Sequence, residues 1–325
     1  MFLNHHYVLE TVLSISTRTE SPESARQPEA GSGRPGRFRR MLASPELSFA
    51  MEAHDGLSAR IAQAEGFRAL WASGLSISTA MGLRDNNEAS WSQFLQVVEL
   101  MADATSVPIV VDGDSGHGNF NSARRFFRKA EQVGAAAVSL EDKIFPKMNS
   151  FVGTEHELAP AEEFCAKIRA CKDSQQDPEF CLIARTESLI AGVGMREAID
   201  RAEQYRLAGA DAIFIHSKKQ VSDEIVEFSQ EWGERLPLVI APTTYAATTP
   251  TDIFRRCGIS TVIWANHSMR AAFAAIRQTC REIRDTESVS HLETLAPLSN
   301  VFDLLDYDEL ERAESRFFTD HPMNG

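Results

Sequence analysis

No Cys-x-x-Cys pair occurs in the 325 residues, and the cysteines are odd in number: Cys165, Cys171, Cys181, Cys257 and Cys280. Zinc sites and disulfide frameworks of the usual spacing are thereby excluded, and a reducing, cytoplasmic setting fits. Long apolar runs are also missing. None approaches the roughly twenty residues of a membrane helix. Positive charge is in short supply, with 33 Lys and Arg against 46 Asp and Glu and a formal net charge of -13. A non-specific nucleic-acid surface needs clustered cations and is excluded. An anionic small-molecule substrate is not, because a pocket can be positive on an acidic protein. No Gly-x-Gly-x-x-Gly fingerprint follows the first candidate strand, which argues against an open dinucleotide-binding sheet.

What is present is a core. Hydrophobic residues make up 43% of the chain, enough for one large α/β domain. Residues 1–36 stand apart. Leu9 to Ile15 is interrupted by Glu10 and preceded by no cation, so it makes a poor secretory signal, and Ser21 to Gly36 is rich in Ser, Pro and Gly. This stretch is expected to be a disordered leader, or a misassigned start with the functional chain beginning at Met41.

From residue 37 a regular alternation begins. Apolar runs at Phe49–Ala53, Ala69–Ala72, Pro108–Val111, Ala136–Leu140, Phe180–Ala184, Ala212–Ile215, Pro237–Ala241 and Thr261–Ala265 read as strands covered on both faces. Helical patterns lie between them. In one, Phe94, Val97, Val98 and Met101 share a face. Others span Leu57–Ala64, Ser122–Val133, Ala161–Cys171, Met195–Ala208, Asp223–Trp232 and Met269–Arg284. Eight strands with intervening helices predict a (β/α)8 TIM-type barrel over residues 37–285. Residues 286–325 continue past the eighth unit, and Val301, Leu304 and Leu305 predict an extra C-terminal helix placed to pack on a neighbouring subunit.

In such a barrel chemistry sits at the C-terminal ends of the strands. Those ends are polar here. Strand two runs into Ser73-Gly74-Leu75 and a loop bearing Asp85. Strand three ends in Asp112-Gly113-Asp114, four in Glu141-Asp142-Lys143, five in Arg185-Thr186-Glu187, six in His216 and eight in Asn266-His267. A single Asp after a strand is usually a helix cap, but six coincidences at one rim are not. Asp112, Asp114 and Glu141 fall on adjacent strands, and like charges held together raise one another's pKa unless a cation intervenes. Hard oxygen ligands suit Mg²⁺, with Asp112 direct and Asp114 and Glu141 through water. Arg185 either grips a carboxylate or phosphoryl group or closes an ion pair with Glu187 or Asp211. His216 either donates to a substrate oxygen or is a satisfied core histidine. The stretch Glu141–Ser150 follows a buried strand with two carboxylates, two lysines, an amide and a hydroxyl, and reads as an anion-handling loop.

Together the stretches Met51–Arg60, Ala72–Ser76, Arg84–Trp91, Asp112–Asn121, Glu141–Ser150, His216–Lys219 and Ile263–His267 resemble the isocitrate lyase and phosphoenolpyruvate mutase superfamily, over about Phe38 to Phe318. The resemblance implies a Mg²⁺-dependent barrel that interconverts phosphoenolpyruvate and phosphonopyruvate. It implies that Ser73, Gly74, Leu75 and Arg185 meet the substrate, Asp112, Asp114 and Glu141 hold the metal, and Asp85 lies beside the migrating phosphoryl group. Lys147, Asn149 and Ser150 would come from a closing lid, and His216 would line the phosphoryl side. It further implies a helix swapped between subunits, a dimer of dimers, and coupling to a phosphonopyruvate decarboxylase in phosphonate biosynthesis.

Three rivals stand beside this reading. Carbon–carbon lyases of the superfamily carry a catalytic Cys in the loop that here reads Lys147-Met148-Asn149-Ser150, which has none. A phosphonopyruvate hydrolase shares most of the site, and Asn149 favours the mutase. A non-catalytic barrel that binds an anionic metabolite has no need of the full set of Asp85, Asp112, Glu141, Lys147 and Arg185.

Overall fold

A computed structural model describes residues 33–153, 156–292 and 294–318. Eight parallel strands close into a barrel in sequence order. They are β1 (Ser48–Ala53), β2 (Ala69–Ala72), β3 (Ile109–Asp112), β4 (Ala137–Glu141), β5 (Cys181–Thr186), β6 (Ala212–Ile215), β7 (Leu238–Ile240) and β8 (Ile259–Trp264). The register Ser48↔Thr261 through Met51↔Trp264 joins β1 to β8 and shuts the cylinder. The outer elements are α1 (Arg34–Ala43), α2 (Gly56–Ala64), α3 (Gly74–Ala80), α4 (Trp91–Ala104), α5 (Phe120–Gln132), α6 (Ala161–Ser174), α7 (Ser188–Ala191), α8 (Met195–Leu207), α9 (Asp223–Trp232), α10 (Thr251–Arg256), α11 (His267–Thr286), α12 (Leu298–Leu304) and α13 (Tyr307–Phe317). No helix among the described residues is long and apolar enough to cross a membrane.

Period-two alternation divides the core. Ala50, Trp71, Val110, Ala137, Ile183, Phe214, Val239 and Ile263 point into the barrel. Leu70, Val111, Val138, Leu140, Leu182 and Ile213 point outward against the helices. Because both faces are buried, the strands read as unbroken apolar runs. Helix starts follow from local chemistry. Ser90 caps α4 by accepting from Gln93 N while the Gln93 side chain reaches back, and Asp55 does the same for α2 with Ser58.

The far end of the barrel is closed by α1. Residues 34–36, assigned on composition to the leader, form its first turn. Pro35 at the helix start supplies a preset φ, so a Pro-containing stretch begins a helix here rather than a linker. Phe38 is fully buried with Met41 and Leu42 in the barrel interior. Burying a side chain of that size stabilises by about 1.5–3 kcal/mol. Arg34 and Arg37 donate to carbonyls of residues 102, 105 and 106, and Arg39 pairs with Asp211 at 3.1 Å. A chain starting at Met41 would lose this closure. The remainder of the expected leader, residues 1–32, lies outside the described residues.

Beyond the eighth strand the helices are unlike the rest. α11, α12 and α13 contain no buried residue. Phe273, Ile276, Leu298, Phe302, Leu310 and Phe317 are all exposed. The start of α11 is tied to β1, where Ser268 Oγ donates to Glu52 O at 3.1 Å and Met269 N to Glu52 Oε2 at 3.0 Å, and Arg60 Nη1 donates to Leu304 O of α12 at 3.3 Å.

Candidate active site

The same alternation that fills the barrel gathers the site. Ser73, Asp112, Glu141, Arg185 and His216 each lie two residues beyond an inward-facing position: Trp71, Val110, Ser139, Ile183 and Phe214. Each therefore projects inward at the rim. One cleft is lined by Ser73, Leu75, Asp85, Asp112, Glu141, Lys147, Asn149, Ser150, Arg185 and His216, with walls from Trp71, Phe214, Thr243 and Asn266. Gly74 and Asp114 stand directly behind it. Gly74 N donates to Asp112 Oδ2 at 3.1 Å. A Cβ on Gly74 would lie 3.1 Å from that oxygen and 3.3 Å from Asp114 Oδ1, so only glycine lets the backbone approach the carboxylates without crowding.

Four acids converge on one ammonium. Lys147 Nζ lies 2.9 Å from Asp85 Oδ1 and also pairs with Asp114 Oδ1. Burial would lower the lysine pKa, but Asp114, Asp85, Asp112 and Glu141 hold it well above its ordinary value. Burial pushes Asp85 up, and Lys147 with the Asn149 amide more than offsets this, so Asp85 sits below the usual range. Asn149 Nδ2 donates to Asp85 Oδ2 at 2.6 Å. Asp112 and Asp114 are both raised, chiefly by burial and against the pull of Lys147. Burial, together with Glu187, pushes Glu141 up to about 7 despite Lys143 and Arg185.

Arg185 is the second cation, and it is pinned. Its Nε donates to Glu187 Oε1, its Nη2 lies 2.8 Å from His216 Nδ1, and its guanidinium sits 4.9 Å from the Phe214 ring centre. These bonds leave Nη1 for a ligand. Burial alone would lower the Arg185 pKa, but Glu187 and Glu141 raise it above its ordinary value. Of the two sequence readings for Arg185, the ion pair forms with Glu187, and the guanidinium still faces the cleft. His216 Nδ1 also lies 2.8 Å from Glu187 Oε1. One ring nitrogen serves one partner at a time: protonated it donates to Glu187, bare it accepts from Arg185. Burial lowers the His216 pKa against the pull of Glu187, which favours the neutral ring.

Three participants have no place among the site residues read from the sequence, although Glu187 is named there as one partner for Arg185. Asn87 donates from Nδ2 to Asp114 Oδ2 at 2.7 Å and accepts from Lys147 N at 2.9 Å. It takes a left-handed φ of 54°, as Asp114 does at 50°. Such backbone is uncommon outside glycine and best tolerated by Asn and Asp. The Asp85-Asn86-Asn87 run was a signal that could have found it. Lys143 and Glu187 are buried and paired at 3.2 Å, across a sequence separation that no local pattern spans.

Asp142 has a different job from its neighbour. It faces outward, where it accepts from Tyr205 Oη at 2.6 Å and from Glu187 N at 2.8 Å and meets Arg201 at 3.4 Å. It fastens the root of the loop to α8 and β5. The chain leaves at Lys143 and returns at Leu158 as an antiparallel bridge, with Ala159 N donating to Asp142 O at 2.8 Å. Between them Lys147, Asn149 and Ser150 face the cleft, Met148 and Phe151 also line it while half exposed, and Ile144, Phe145 and Val152 are exposed.

Among the described residues, no three His, Cys, Asp or Glu side chains close around a single point. The ammonium of Lys147 lies among the carboxylates. Glu141 Oε1 is buried without a hydrogen-bond partner, and an orphaned carboxylate oxygen needs a cation or a metal-bound water. Hard carboxylate oxygens fit Mg²⁺, which keeps several of its waters.

A family model described as phosphoenolpyruvate phosphomutase matches residues 38–284. The phosphoenolpyruvate phosphomutase of Streptomyces hygroscopicus is 56% identical over 282 residues, which is 86% of this chain and 90% of that protein. A crystal structure of phosphoenolpyruvate phosphomutase from Streptomyces platensis subsp. rosaceus superposes with a TM-score of 0.86 at 41% identity, covering 88% of this chain and 100% of that one. A phosphonopyruvate hydrolase solved with oxalate and Mg²⁺ superposes with a TM-score of 0.83 at 35% identity, again over 88% and 100%.

Proposed function

Because the chain belongs to the phosphoenolpyruvate phosphomutase family, we propose that it interconverts phosphoenolpyruvate and phosphonopyruvate. The reaction moves a phosphoryl group between the enolate oxygen and C3 of pyruvate. The observation that carries this reading is the division of charge in the cleft. Arg185, held by Glu187 and His216, stands apart from Lys147 and Asn149, which are both bound to Asp85. One end can grip a carboxylate while the other handles a group in transit.

Arg185 Nη1 and the Ser73-Gly74-Leu75 turn hold the pyruvyl carboxylate. Asp112 would bind Mg²⁺, with Asp114 and Glu141 through water. When bound, the ion supplies positive charge to the enolate and carboxylate oxygens. Phosphoryl transfer of this kind passes through a loose transition state, so positioning and charge outweigh covalent work. Lys147, Asn149 and His216 steady the phosphoryl oxygens, and Asp85 faces the migrating phosphorus. The substrate displaces Asp85 from Lys147 and Asn149, which then turn their donors to the phosphoryl group. Residues 144–153 lie over the cleft and keep water from taking that group.

Asn149 on Asp85 favours the mutase over the hydrolase, as does 56% identity to a mutase against 36% to a phosphonopyruvate hydrolase, each over 282 residues. The exposed apolar faces of α11 to α13 support a second copy of the chain as their partner, with the terminal helix exchanged in a dimer of dimers. The barrel with α1 forms the catalytic unit, and the helices beyond residue 285 the assembly arm. Phosphonopyruvate is the less stable product, so a decarboxylase must consume it. Phosphorus NMR of the protein with Mg²⁺ and phosphonopyruvate tests the reading. Phosphoenolpyruvate is expected; inorganic phosphate alone indicates a hydrolase, and no turnover indicates a binding barrel.

A further inference from the structure

Glu187 stands between two parts of the site and touches both. Its Oε1 receives Arg185 Nε and lies 2.8 Å from His216 Nδ1. Its Oε2 accepts from the Ser150 hydroxyl at 2.7 Å and lies 3.2 Å from Lys143 Nζ. Lys143 donates onward to Ser150 Oγ at 2.6 Å and to Met148 O at 3.0 Å. Glu187 is fully buried and Lys143 is 3% exposed. The three donors of Lys143 are matched by three acceptors: Glu187, Ser150 and Met148 O. None remains for a substrate.

We infer that Lys143 and Glu187 are positioning residues that couple seating of the loop 144–153 to the aim of Arg185. Lys147 and Asn149 also hold the loop, through Asp85, Asp114 and a bond from Lys147 N to Asn87, and the bonds to Asp85 must change partners when a phosphoryl group arrives. Lys143 and Ser150 both line the cleft, but the donors of Lys143 are already spent on Glu187, Ser150 and Met148 O, so its bonds hold the loop throughout turnover. When Ser150 and Met148 seat on Lys143, Glu187 Oε2 is occupied from the loop side. Glu187 is then fixed, and its Oε1 holds the guanidinium in one orientation. An unseated loop leaves Glu187 free to turn and Arg185 with it.

The catalytic consequence rests on the phosphoryl transfer proposed above. With the loop loosened, water reaches the group in transit. The carbon–phosphorus bond of phosphonopyruvate breaks, the phosphoryl group passes to the water oxygen, and the enolate takes up a proton. Phosphonopyruvate and water thus give pyruvate and inorganic phosphate. A mutase would be diverted toward hydrolysis with its phosphoryl-facing residues intact.

The test compares the full chain with Lys143→Met and Ser150→Ala. Hydrogen exchange by mass spectrometry follows the peptide 144–153, and phosphorus NMR follows the ratio of inorganic phosphate to phosphoenolpyruvate. In Lys143→Met the peptide is expected to exchange at least about tenfold faster, in line with the loss of a charge-assisted bond, while the barrel strands are unchanged. The phosphate ratio is expected to rise by about the same factor. Ser150→Ala keeps the ammonium and moves both readouts in the same direction by less, so it decides the matter if Lys143→Met does not fold. Exchange like that of the unmodified chain in the folded variants overturns the coupling. Faster exchange with an unchanged product ratio overturns the positioning role. A wild-type chain that turns over nothing defeats the proposed reaction, yet leaves the exchange measurement to judge the Lys143 bonds alone.

Discussion

Replacing Lys147 with Met removes one positive charge from among Asp85, Asp112, Asp114 and Glu141 and keeps the aliphatic stem. The ammonium pairs with Asp85 at 2.9 Å and with Asp114, and the lysine is 6% exposed. Breaking a buried pair by removing one partner costs about 3–5 kcal/mol, because the other charge stays behind uncompensated. The lower end applies, since the loop can swing outward and admit water to the carboxylates. A loss of about 3 kcal/mol in a domain of this size lowers the melting temperature by roughly 6 °C. Mg²⁺ should reverse much of this. A divalent ion supplies to the acids the charge the lysine no longer provides, and it stabilises only the folded chain, by an amount that grows with its affinity. The assay is thermal unfolding of both proteins with and without millimolar Mg²⁺. The Mg²⁺-induced rise should be larger in Lys147→Met than in the unmodified chain. A drop below about 1 °C, or equal Mg²⁺ shifts in the two proteins, would refute the view that lysine and metal neutralise the same carboxylates.

Three further outcomes follow from features away from the cations. A Cβ at Gly113 would come within 2.7 Å of Leu140, 2.8 Å of Val138 and 2.9 Å of Phe126, so Gly113→Ala should lose about 1–3 kcal/mol in urea unfolding; an unchanged midpoint would show that the packing yields. The hydrogen bond to Glu52 raises the His54 pKa above its ordinary value against burial. The stabilisation is therefore full below the unfolded value of about 6.5 and is lost as pH rises through the higher folded value. The melting difference between the unmodified chain and His54→Gln should be larger at pH 6 than at pH 9, and a constant difference contradicts the linkage. Burial pushes Cys171 and Cys181 up to about 12, whereas Cys280 is exposed. In the free chain a thiol reagent should label Cys280 rapidly, more slowly once α11 packs on a second copy, and the other two only on unfolding. Equal rates would contradict the packing.

Much of the fold was legible because the strands are covered on both faces. All eight apolar runs became strands. The differences lie at their ends: β5 runs on through Arg185 and Thr186, and β8 starts at Ile259, because ladder bonds extend past the point where apolar residues stop. α1 was hidden by its composition, since Arg, Pro and Gly resemble a linker until Phe38 finds the barrel floor. The rim acids could be placed because alternation along a strand assigns a side to each residue. Glu141 and Asp142 illustrate the limit. Read as one acidic cluster, they point to opposite faces, the first into the cleft and the second to Tyr205 and Arg201. What could not be read was partnership at a distance. Lys143 with Glu187, and Asn87 with Asp114 and Lys147, depend on how three separate loops close over one another.

The antiparallel bridge between Lys143 and Leu158 has an evolutionary meaning. With Asp142 locked to Tyr205 and Arg201 beneath it, the ends of the excursion are held by bonds that do not involve the residues facing the cleft. Such an excursion is a cassette: its inner residues can be exchanged, lengthened or shortened with little strain on the cylinder that carries it. A barrel built this way can keep its grip on a small carboxylate while the fate of the bond being broken is rewritten in a handful of positions. New activities can then arise on the same frame without first destabilising it.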